Sequence, residues 1–195
     1  MQNPFDPGYY DSSALSQMGF KAVGKNVMVA KNCTLINLHN ISLGSHVRID
    51  GGTTIVAGDA GVTIGHYIHI GGGSFLLGKH GITLGNFANI SQAVRLYTTN
   101  DDYVGGAFTN PMVPERYTNV ATGPVTVGKH TIIGSGSVVL PGVQLATGSS
   151  VGALSLIKNT TAEWTVYAGN PARAIKARKV VDSDGTVEAR LLSDI

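Results

Sequence analysis

Three side chains in this sequence suit proton transfer. They are the adjacent carboxylates Asp101 and Asp102, near the middle of the chain, and the upstream histidine His80. A positioned general base typically contributes about 10²–10⁴-fold to a reaction in which a nucleophile loses a proton. An aspartate with a pKa of about 3.9 is a weak base, but burial or a neighbouring carboxylate raises that value, because adjacent carboxylates resist joint ionisation. A histidine oriented by an aspartate is the alternative base. The third alternative is that no base is needed.

The elements that must position these residues are indicated by an apolar residue that recurs every six positions. The series comprises Leu43, Ile49, Ile55, Ile64, Ile70, Leu76, Leu84, Ile90 and Leu96, and after a break Val127, Ile133, Val139, Leu145, Val151 and Ile157. This period matches neither an amphipathic helix nor an alternating strand. Hexapeptide repeats are typical of parallel β-helices, so we expect a solenoid in which three hexads form one triangular coil.

Extra residues interrupt the rhythm at one corner of the triangle: after Ile55, after Leu76 and, at greatest length, after Leu96. Successive coils stack about 4.8 Å apart, so insertions at the same corner lie close together. His80 belongs to the second insertion and Asp101 to the third. We therefore expect His80 within a coil or two of Asp101; the alternative is that it is only a turn residue in an exposed corner.

Composition narrows the class of protein. The chain has 195 residues, enough for one domain with a sizeable core, and its net charge of +2 is too small to argue for nucleic acid or an anionic membrane. A single cysteine, Cys33, excludes an internal disulfide and favours a reducing compartment. No N-terminal apolar run has the length of a signal or membrane-spanning segment. The expectation is a soluble, cytoplasmic protein without membrane insertion.

Two segments carry a resemblance to a known family: Val127–Val143, with its Gly-Ser-Gly-Ser run, and the ending Ala168–Arg173, which reads AGNPAR. They resemble the hexapeptide-repeat acyltransferases, in the branch of galactoside, xenobiotic and polysaccharide O-acetyltransferases. The resemblance implies an all-β fold, a left-handed parallel β-helix with a protruding loop and a short C-terminal helix. The expected organisation is a lead-in over 1–22, a β-helix over 23–160 with an inserted loop at 97–124, and a cap, helix and tail over 161–195.

The same resemblance implies a homotrimer that binds acetyl-CoA in a groove between neighbouring β-helices. Carried over by position, the donor-binding residues are Ser135 and Ala153 for the pantetheine arm, Lys158 or Asn159 for the nucleotide, and Arg173 and Lys176 for the phosphates. Cationic side chains suit phosphate oxygens. The alternative for Lys176, Arg178 and Lys179 is the solvated face of a C-terminal helix.

The loop at 97–124 is expected to build the acceptor side of the site against a neighbouring subunit, because long ordered loops in regular domains are usually functional. The family places its catalytic histidine at the position that Asp101 occupies here, and this is the main departure from its pattern. The side chains expected to hold a sugar are Tyr97, Asn100, Tyr103, Asn110 and Arg116.

These features favour transfer of an acetyl group from acetyl-CoA to a saccharide hydroxyl, in surface polysaccharide or sugar metabolism. One alternative is N-acetylation of an amino sugar, free or nucleotide-linked, since a free amine attacks without a strong base and would explain the absent histidine. A second alternative is a non-catalytic trimeric scaffold, which the intact donor-end residues argue against. No metal is expected, because His66 and His69 lie close in sequence without an evident third ligand at a matching height.

Overall fold

The computed structural model describes residues 3–195 and shows a triangular solenoid of stacked parallel strands. Met1 and Gln2, the first residues of the expected lead-in, lie outside the described part. Three flat walls surround one core, and the chain passes through them in the same order on every turn. The widest wall holds seven parallel strands, so the solenoid has seven coils.

The helices and strands are short, as six-residue repeats require. In chain order they are β1 (Tyr9–Asp11), α1 (Ser12–Ser16), β2 (Ala22–Val23), β3 (Met28–Ala30), β4 (Thr34–Ile36), β5 (Ile41–Leu43), β6 (Val47–Ile49), β7 (Thr54–Ala57), β8 (Val62–Ile64), β9 (Ile68–Ile70), β10 (Phe75–Gly78), β11 (Ile82–Leu84), β12 (Asn89–Ile90), β13 (Arg95–Tyr97), β14 (Thr99–Asn100), β15 (Ala121–Thr122), β16 (Val125–Val127), β17 (Ile132–Ile133), β18 (Val138–Val139), β19 (Gln144–Leu145), β20 (Ser150–Val151), β21 (Leu156–Ile157), β22 (Thr165–Gly169), β23 (Ala172–Ala177) and α2 (Thr186–Ser193). Single 3₁₀ turns occupy Leu38–Asn40 and Glu115–Tyr117.

The strands form three walls that we number in the order in which the chain visits them. Wall 1 contains β2, β5, β8, β11, β16 and β19; wall 2 contains β3, β6, β9, β12, β17, β20 and β22; wall 3 contains β4, β7, β10, β13, β18 and β21. A corner is named by the two walls that it joins: corner 1–2, corner 2–3 and corner 3–1.

The register of the walls confirms the six-residue rhythm. In wall 2, Ile90 pairs with Ile70 on one side and with Ile133 on the other. Every apolar residue of the predicted series points inward and is at most 4% exposed. Stacking identical columns removes this apolar surface from water, the main favourable term in folding. It also satisfies each strand's backbone groups with those of the adjacent coils.

The lead-in contains a short helix, α1. The Asp11 carboxylate accepts a hydrogen bond of 2.9 Å from the Ala14 N–H, which caps the first turn, and Leu15 is buried in the core. The strand before the helix, β1, pairs antiparallel with β3. Together β1 and α1 bring the N-terminal segment against the first coil.

Insertions occur at corner 3–1 in successive coils, as the sequence predicts. The largest is the excursion between β13 and β16, which we call the loop and which spans residues 98–124. Its two ends form the antiparallel pair β14 and β15, with Thr99 opposite Thr122. The loop therefore leaves the solenoid through a two-stranded stem at corner 3–1.

The alternative in which Lys176, Arg178 and Lys179 form the solvated face of a C-terminal helix is wrong. Residues Ala172–Ala177 form β23, which turns back and pairs antiparallel with β22 at the edge of wall 2. The pairing supplies ladder hydrogen bonds to an otherwise open edge, and this outweighs the helix propensity of the Ala, Arg and Lys residues in the segment. The C-terminal helix lies further along, as α2.

The helix α2 packs on a ladder of stacked rings at corner 1–2. His46, Tyr67, Phe87 and His130 occupy equivalent positions of successive coils, with centroids 4.4–5.2 Å apart and nearly parallel planes. Each of these residues has a positive φ, from 57° to 62°. The helix is held to the ladder by a 2.7 Å hydrogen bond from the Tyr67 hydroxyl to the Leu191 carbonyl and by the contact of His130 Nε2 with Glu188, at 3.0 Å.

Candidate functional site

The loop and corner 3–1 enclose a cleft of 910 Å³. The solenoid side of the cleft carries Leu77, Lys79 and His80, and the loop side runs from Asn110 to Thr122. Asp101 lines the same cleft. The structure therefore brings together the histidine and the aspartate that the sequence placed at one corner.

The imidazole of His80 lies half-buried at the base of this cleft. Its backbone N–H donates a 3.1 Å hydrogen bond to the hydroxyl of Thr98, which itself donates to the Leu77 carbonyl at 2.6 Å. The Nε2 atom of His80 is buried and has no hydrogen-bond partner within residues 3–195. The expected contact between the Asp101 carboxylate and the His80 ring is not among the hydrogen bonds of that range, so the two groups share a cleft without forming a pair.

Asp102 is directed at the loop rather than at the cleft. Its Oδ1 accepts hydrogen bonds from the N–H groups of Val104 and Gly105, at 2.8 and 3.2 Å, and its Oδ2 accepts from the Asn119 amide at 3.4 Å. The hydrogen bond from Val104, the largest contribution, lowers the pKa of Asp102 below its usual range. Asp102 therefore fixes a turn of the loop and does not line the cleft, and its expected part in catalysis stays a prediction.

The residues expected to hold a sugar divide into two groups. Asn110 lines the cleft, where its side chain also accepts a hydrogen bond from the Met112 N–H at 3.0 Å. The other four are Tyr97, packed against Phe75; Asn100, bonded to the adjacent Asp101 carbonyl; Tyr103, 85% exposed; and Arg116, stacked on Tyr117. These four do not line the cleft, so their assignment to an acceptor stays a prediction.

A second surface follows corner 2–3, where Gln92, Ser135 and Ala153 occupy equivalent positions of successive coils. The Gly136 N–H donates to the Gln92 carbonyl, and the Leu154 N–H donates to the Ser135 carbonyl. The Ser135 hydroxyl donates to Gln92 Oε1 at 3.1 Å. The backbone N–H groups of Ser135 and Ala153 have no partner within residues 3–195, so this corner presents free donors to a ligand.

The residues expected at the nucleotide end of the donor lie at the C-terminal end of the solenoid, where Lys158 and Asn159 directly follow β21 of wall 3. Lys158, Asn159 and Arg173 line a small pocket of 170 Å³ together with Tyr167. Lys176 lies on β23 and is exposed outside that pocket, where its Cα pairs with Val166. The structure thus brings three of the four predicted residues together.

The two surfaces lie at opposite ends of wall 3. The Asp101 cleft lies at corner 3–1, and Ser135 lies at corner 2–3. A strand of this wall, such as β10, has four residues and spans about 13 Å. The free amides of one corner and the Asp101 cleft of the other are therefore separated by the width of a wall within one chain.

Four of the histidines outside the cleft, namely His46, His66, His69 and His130, make structural contacts. Nδ1 of His66 accepts from the Ser45 N–H at 2.9 Å, and Nε2 of His69 contacts the Asp50 carboxylate at 2.8 Å. Across residues 3–195, no three metal-ligating side chains come together. The helices of the described chain are also too short and polar to span a bilayer.

A parallel β-solenoid with a long corner loop over a cleft, and a second corner of free amides, is the architecture of the β-helix acyltransferases. No protein-family model matches the chain. A dTDP-4-amino-4,6-dideoxy-D-glucose acyltransferase from Escherichia coli is 40% identical over 188 residues, covering 95% of this chain and 98% of the relative. The chain therefore belongs to the hexapeptide-repeat acyltransferases, whose fold is a left-handed parallel β-helix.

Solved structures give the same assignment. A serine-to-cysteine variant of AntD, an N-acyltransferase from Bacillus cereus, in complex with dTDP-4-amino-4,6-dideoxyglucose and coenzyme A, has a TM-score of 0.89 and 38% identity, covering 96% of this chain and 98% of that one. A more distant relative is WbbJ, a putative lipopolysaccharide biosynthesis O-acetyl transferase of Escherichia coli, which is 27% identical over 142 residues, covering 70% of this chain and 68% of WbbJ. The comparisons favour the amine alternative over the saccharide hydroxyl that the sequence favoured.

Sequence reasoning passed over Ser91. AntD has been solved as variants of a serine and of an aspartate ten positions later. In this chain Ser91 precedes Asp101 by the same interval. Ser91 lies at corner 2–3, next to Gln92, and its N–H donates to the Ile133 carbonyl. In the sequence it resembles an ordinary repeat residue. The feature that could have indicated it is its place at the same corner as Ser135 and Ala153, the residues predicted to bind the donor.

Proposed function

We propose that this protein transfers an acyl group from acyl-CoA to the amine of an amino sugar carried on a nucleoside diphosphate. Similarity over nearly the whole length to an amino-sugar acyltransferase carries this proposal. AntD structures contain dTDP with 3-hydroxybutyryl-CoA, or the dTDP-linked amino sugar with coenzyme A. Acetyl-CoA is the simplest donor consistent with the resemblance seen in the sequence, and a longer acyl group is the alternative.

The chemistry matches the groups that are present. The free amine attacks the thioester carbonyl, an N–C bond forms, the C–S bond breaks, and coenzyme A leaves as the thiol with the proton that the amine loses. A free amine is already nucleophilic, so an aspartate at the family's histidine position suffices. The Asp101 carboxylate accepts a hydrogen bond from the amine and stabilises its developing positive charge. A backbone N–H at corner 2–3 stabilises the oxyanion.

We further propose that two copies of the chain form each site. Within one chain, the predicted donor-binding residues Ser135 and Ala153 at corner 2–3 lie about the width of wall 3 away from the cleft at Asp101. This distance is too long for both surfaces to contact one thioester. A cyclic homotrimer would place the loop of one copy beside corner 2–3 of the next, because heterologous contacts close into rings. Exposed apolar side chains on both surfaces suit such a contact: Val104 and Met112 on the loop, and Leu154 at the corner.

The test compares two acceptors that differ at one atom. Thiol release from acetyl-CoA and from 3-hydroxybutyryl-CoA would be measured with dTDP-4-amino-4,6-dideoxyglucose and with the corresponding 4-hydroxy sugar nucleotide. We expect turnover with the amine and at least a hundredfold less with the hydroxyl. Equal or greater turnover with the hydroxyl compound would overturn the proposal and restore O-acylation.

A further inference from the structure

A buried hydroxyl group lies where the loop joins the solenoid at corner 3–1. Thr98, the first residue of the loop, is fully buried, although the loop beyond it is largely exposed. Its Oγ1 donates a hydrogen bond to the Leu77 carbonyl at 2.6 Å and accepts one from the His80 N–H at 3.1 Å. Leu77 and His80 line the solenoid side of the cleft. The Thr98 side chain therefore fixes the turn that forms the base of the cleft.

The backbone of Thr98 connects the same turn to both ends of the loop. Its N–H donates to the Leu77 carbonyl at 3.1 Å, and its own carbonyl accepts from the Gly123 N–H, also at 3.1 Å. Gly123 directly follows β15, the returning strand of the stem. One residue thus holds together three segments, namely the turn at corner 3–1 and the outgoing and returning ends of the loop.

The repeat itself does not require a hydroxyl at this position. If the register of β10 with β7 and β13 is continued by one residue, Thr98 lies beside Gly78, which pairs with Ala57 in the coil before. Both of these residues are buried and have no polar side-chain atom. A buried hydroxyl costs free energy unless it is hydrogen-bonded. The polar group therefore replaces Ala and Gly in the coil from which the loop departs, where it has both a donor and an acceptor to bind.

Asp101 depends on this arrangement because no neighbour holds its side chain. Within residues 3–195 the carboxylate accepts no hydrogen bond, and only the backbone carbonyl of Asp101 does so, from the Asn100 amide at 3.3 Å. The two residues of β14 are all that separates Asp101 from Thr98. The backbone of the stem therefore determines where the carboxylate lies in the cleft, and Thr98 is the point at which the stem is attached.

We propose that Thr98 is a positioning residue for the reaction. Its hydroxyl sets the distance between the base of the cleft and the stem, and through the stem it holds the Asp101 carboxylate against the amine of the acceptor. A misplacement of about 1 Å caused far from the reacting atoms can lower turnover about 10²-fold. This inference rests on the proposed function, in which the Asp101 carboxylate contacts the amine.

The test compares Thr98→Val, which replaces the hydroxyl by a methyl group of similar size, with Thr98→Ser, which keeps the hydroxyl and loses the methyl group. We expect Thr98→Val to lower kcat for the amino sugar about ten- to a hundredfold. The KM for acyl-CoA should not change, because the predicted donor surface lies at corner 2–3. Thr98→Ser should retain the wild-type kcat, although the loss of a buried methyl group lowers its melting temperature.

A second comparison covers the case in which Thr98→Val does not fold. Thr98→Ala differs from Thr98→Ser by one oxygen atom, and the equivalent position two coils earlier is already an alanine, Ala57. Thr98→Ala should lower kcat as Thr98→Val does.

The matched control for a general loss of stability is Thr131→Val. Thr131 is also buried, and its hydroxyl donates to the Ala146 carbonyl at 3.2 Å, but it lies at corner 1–2, away from the cleft. This variant should melt at a lower temperature than the wild type and retain the wild-type kcat.

A double variant tests whether Thr98 acts through Asp101. Thr98→Val combined with Asp101→Asn should have nearly the same kcat as Asp101→Asn alone, because residues that act as a unit are not additive. Three results would overturn the positioning role and leave the proposed function intact: a wild-type kcat in Thr98→Val, an equal loss of kcat in Thr98→Val and Thr98→Ser, or an undiminished effect of Thr98→Val in the Asp101→Asn protein. Failure of the wild-type protein to acylate the amino sugar would instead remove the proposed function, and the positioning role with it.

Discussion

Asp101 and Asp102 are neighbours in sequence, yet their side chains have different tasks. Asp101 lines the cleft, whereas Asp102 binds backbone N–H groups of the loop. We expect Asp101→Asn to lower turnover by about 10²-fold or more, with acyl-CoA affinity retained. Steady-state kinetics and a separate binding titration would show this. Unchanged turnover in Asp101→Asn would mean that the carboxylate does not contact the amine.

Substitution of His80 tests whether a second side chain of the cleft takes part in catalysis together with Asp101. If His80 acts with Asp101, His80→Ala should lower turnover as well, and the double variant should be little worse than the weaker single variant, since residues that act as a unit are not additive. If it only fills a corner, His80→Ala should reduce the melting temperature and leave turnover per folded molecule unchanged. Turnover and thermal unfolding measured on all three variants separate these outcomes.

Of the two cations predicted to bind the donor's phosphates, Arg173 lines the small pocket and Lys176 does not. It lines the pocket with Lys158 and Asn159 and is exposed to solvent. We expect Arg173→Ala to weaken acyl-CoA binding about ten- to a hundredfold, and less for an analogue without the 3′-phosphate. Arg190→Ala, which removes an exposed charge from α2, is the control and should bind normally. Normal acyl-CoA binding by Arg173→Ala would mean that Arg173 contributes only to the β23 strand at the edge of wall 2.

At the scale of elements, the attachment of α2 depends on one carboxylate. Glu188 accepts from His130 Nε2 at 3.0 Å and from Lys129 at 3.1 Å. The hydrogen bond from His130 is the largest contribution and lowers the pKa of Glu188. A carboxyl group whose pKa is lowered by folding stabilises the folded state above its unfolded value, about 4.3, and loses this contribution as the pH falls through the lowered value.

We therefore expect Glu188→Gln to melt below the wild type at pH 7 and the difference to disappear in acid, below about pH 4. Thermal unfolding across this range measures it. Glu163→Gln, at an exposed carboxylate outside these contacts, should match the wild type throughout. If the difference in melting temperature between the wild type and Glu188→Gln persisted unchanged in acid, packing rather than the charge of Glu188 would hold α2 in place.

The elements that the sequence predicted are those whose structure is determined by the repeat. The inward column of Leu84, Ile90 and Leu96 is readable because each coil repeats the same burial. The pairing of β23 with β22 was not readable, because a local segment of Ala, Arg and Lys carries no record of the open edge that it covers. Ser91 was passed over for a related reason: its hexad position is ordinary, and nothing in the local sequence records what lies beside it in the fold.

At the scale of the whole molecule, the outward face of wall 3 lies between the two halves of the proposed site. Its side chains are largely apolar and include Val56, Phe75, Leu77 and Val138, which are only partly exposed. An apolar outer wall between two functional corners is the surface expected to pack against a second copy. Such packing would remove apolar area from water and bring the loop of one copy to the donor corner of another.

A mixing experiment tests this arrangement directly. Asp101→Asn removes the carboxylate from the loop half, and Ser135→Trp would block the donor half with a large side chain. Each variant alone should be nearly inactive. After the two are unfolded together and refolded, random cyclic assembly gives about a quarter of the sites a normal loop from one copy and a normal corner from its neighbour.

Recovery of up to about a quarter of wild-type turnover is therefore the expected result. Refolding each variant separately and mixing afterwards without exchange is the control and should give no recovery. A site contained in one chain predicts that no mixture regains activity, because every chain then carries one damaged half. That outcome would require the loop to reach across wall 3 of its own chain, and it would remove the reason for placing the acyl donor between two copies.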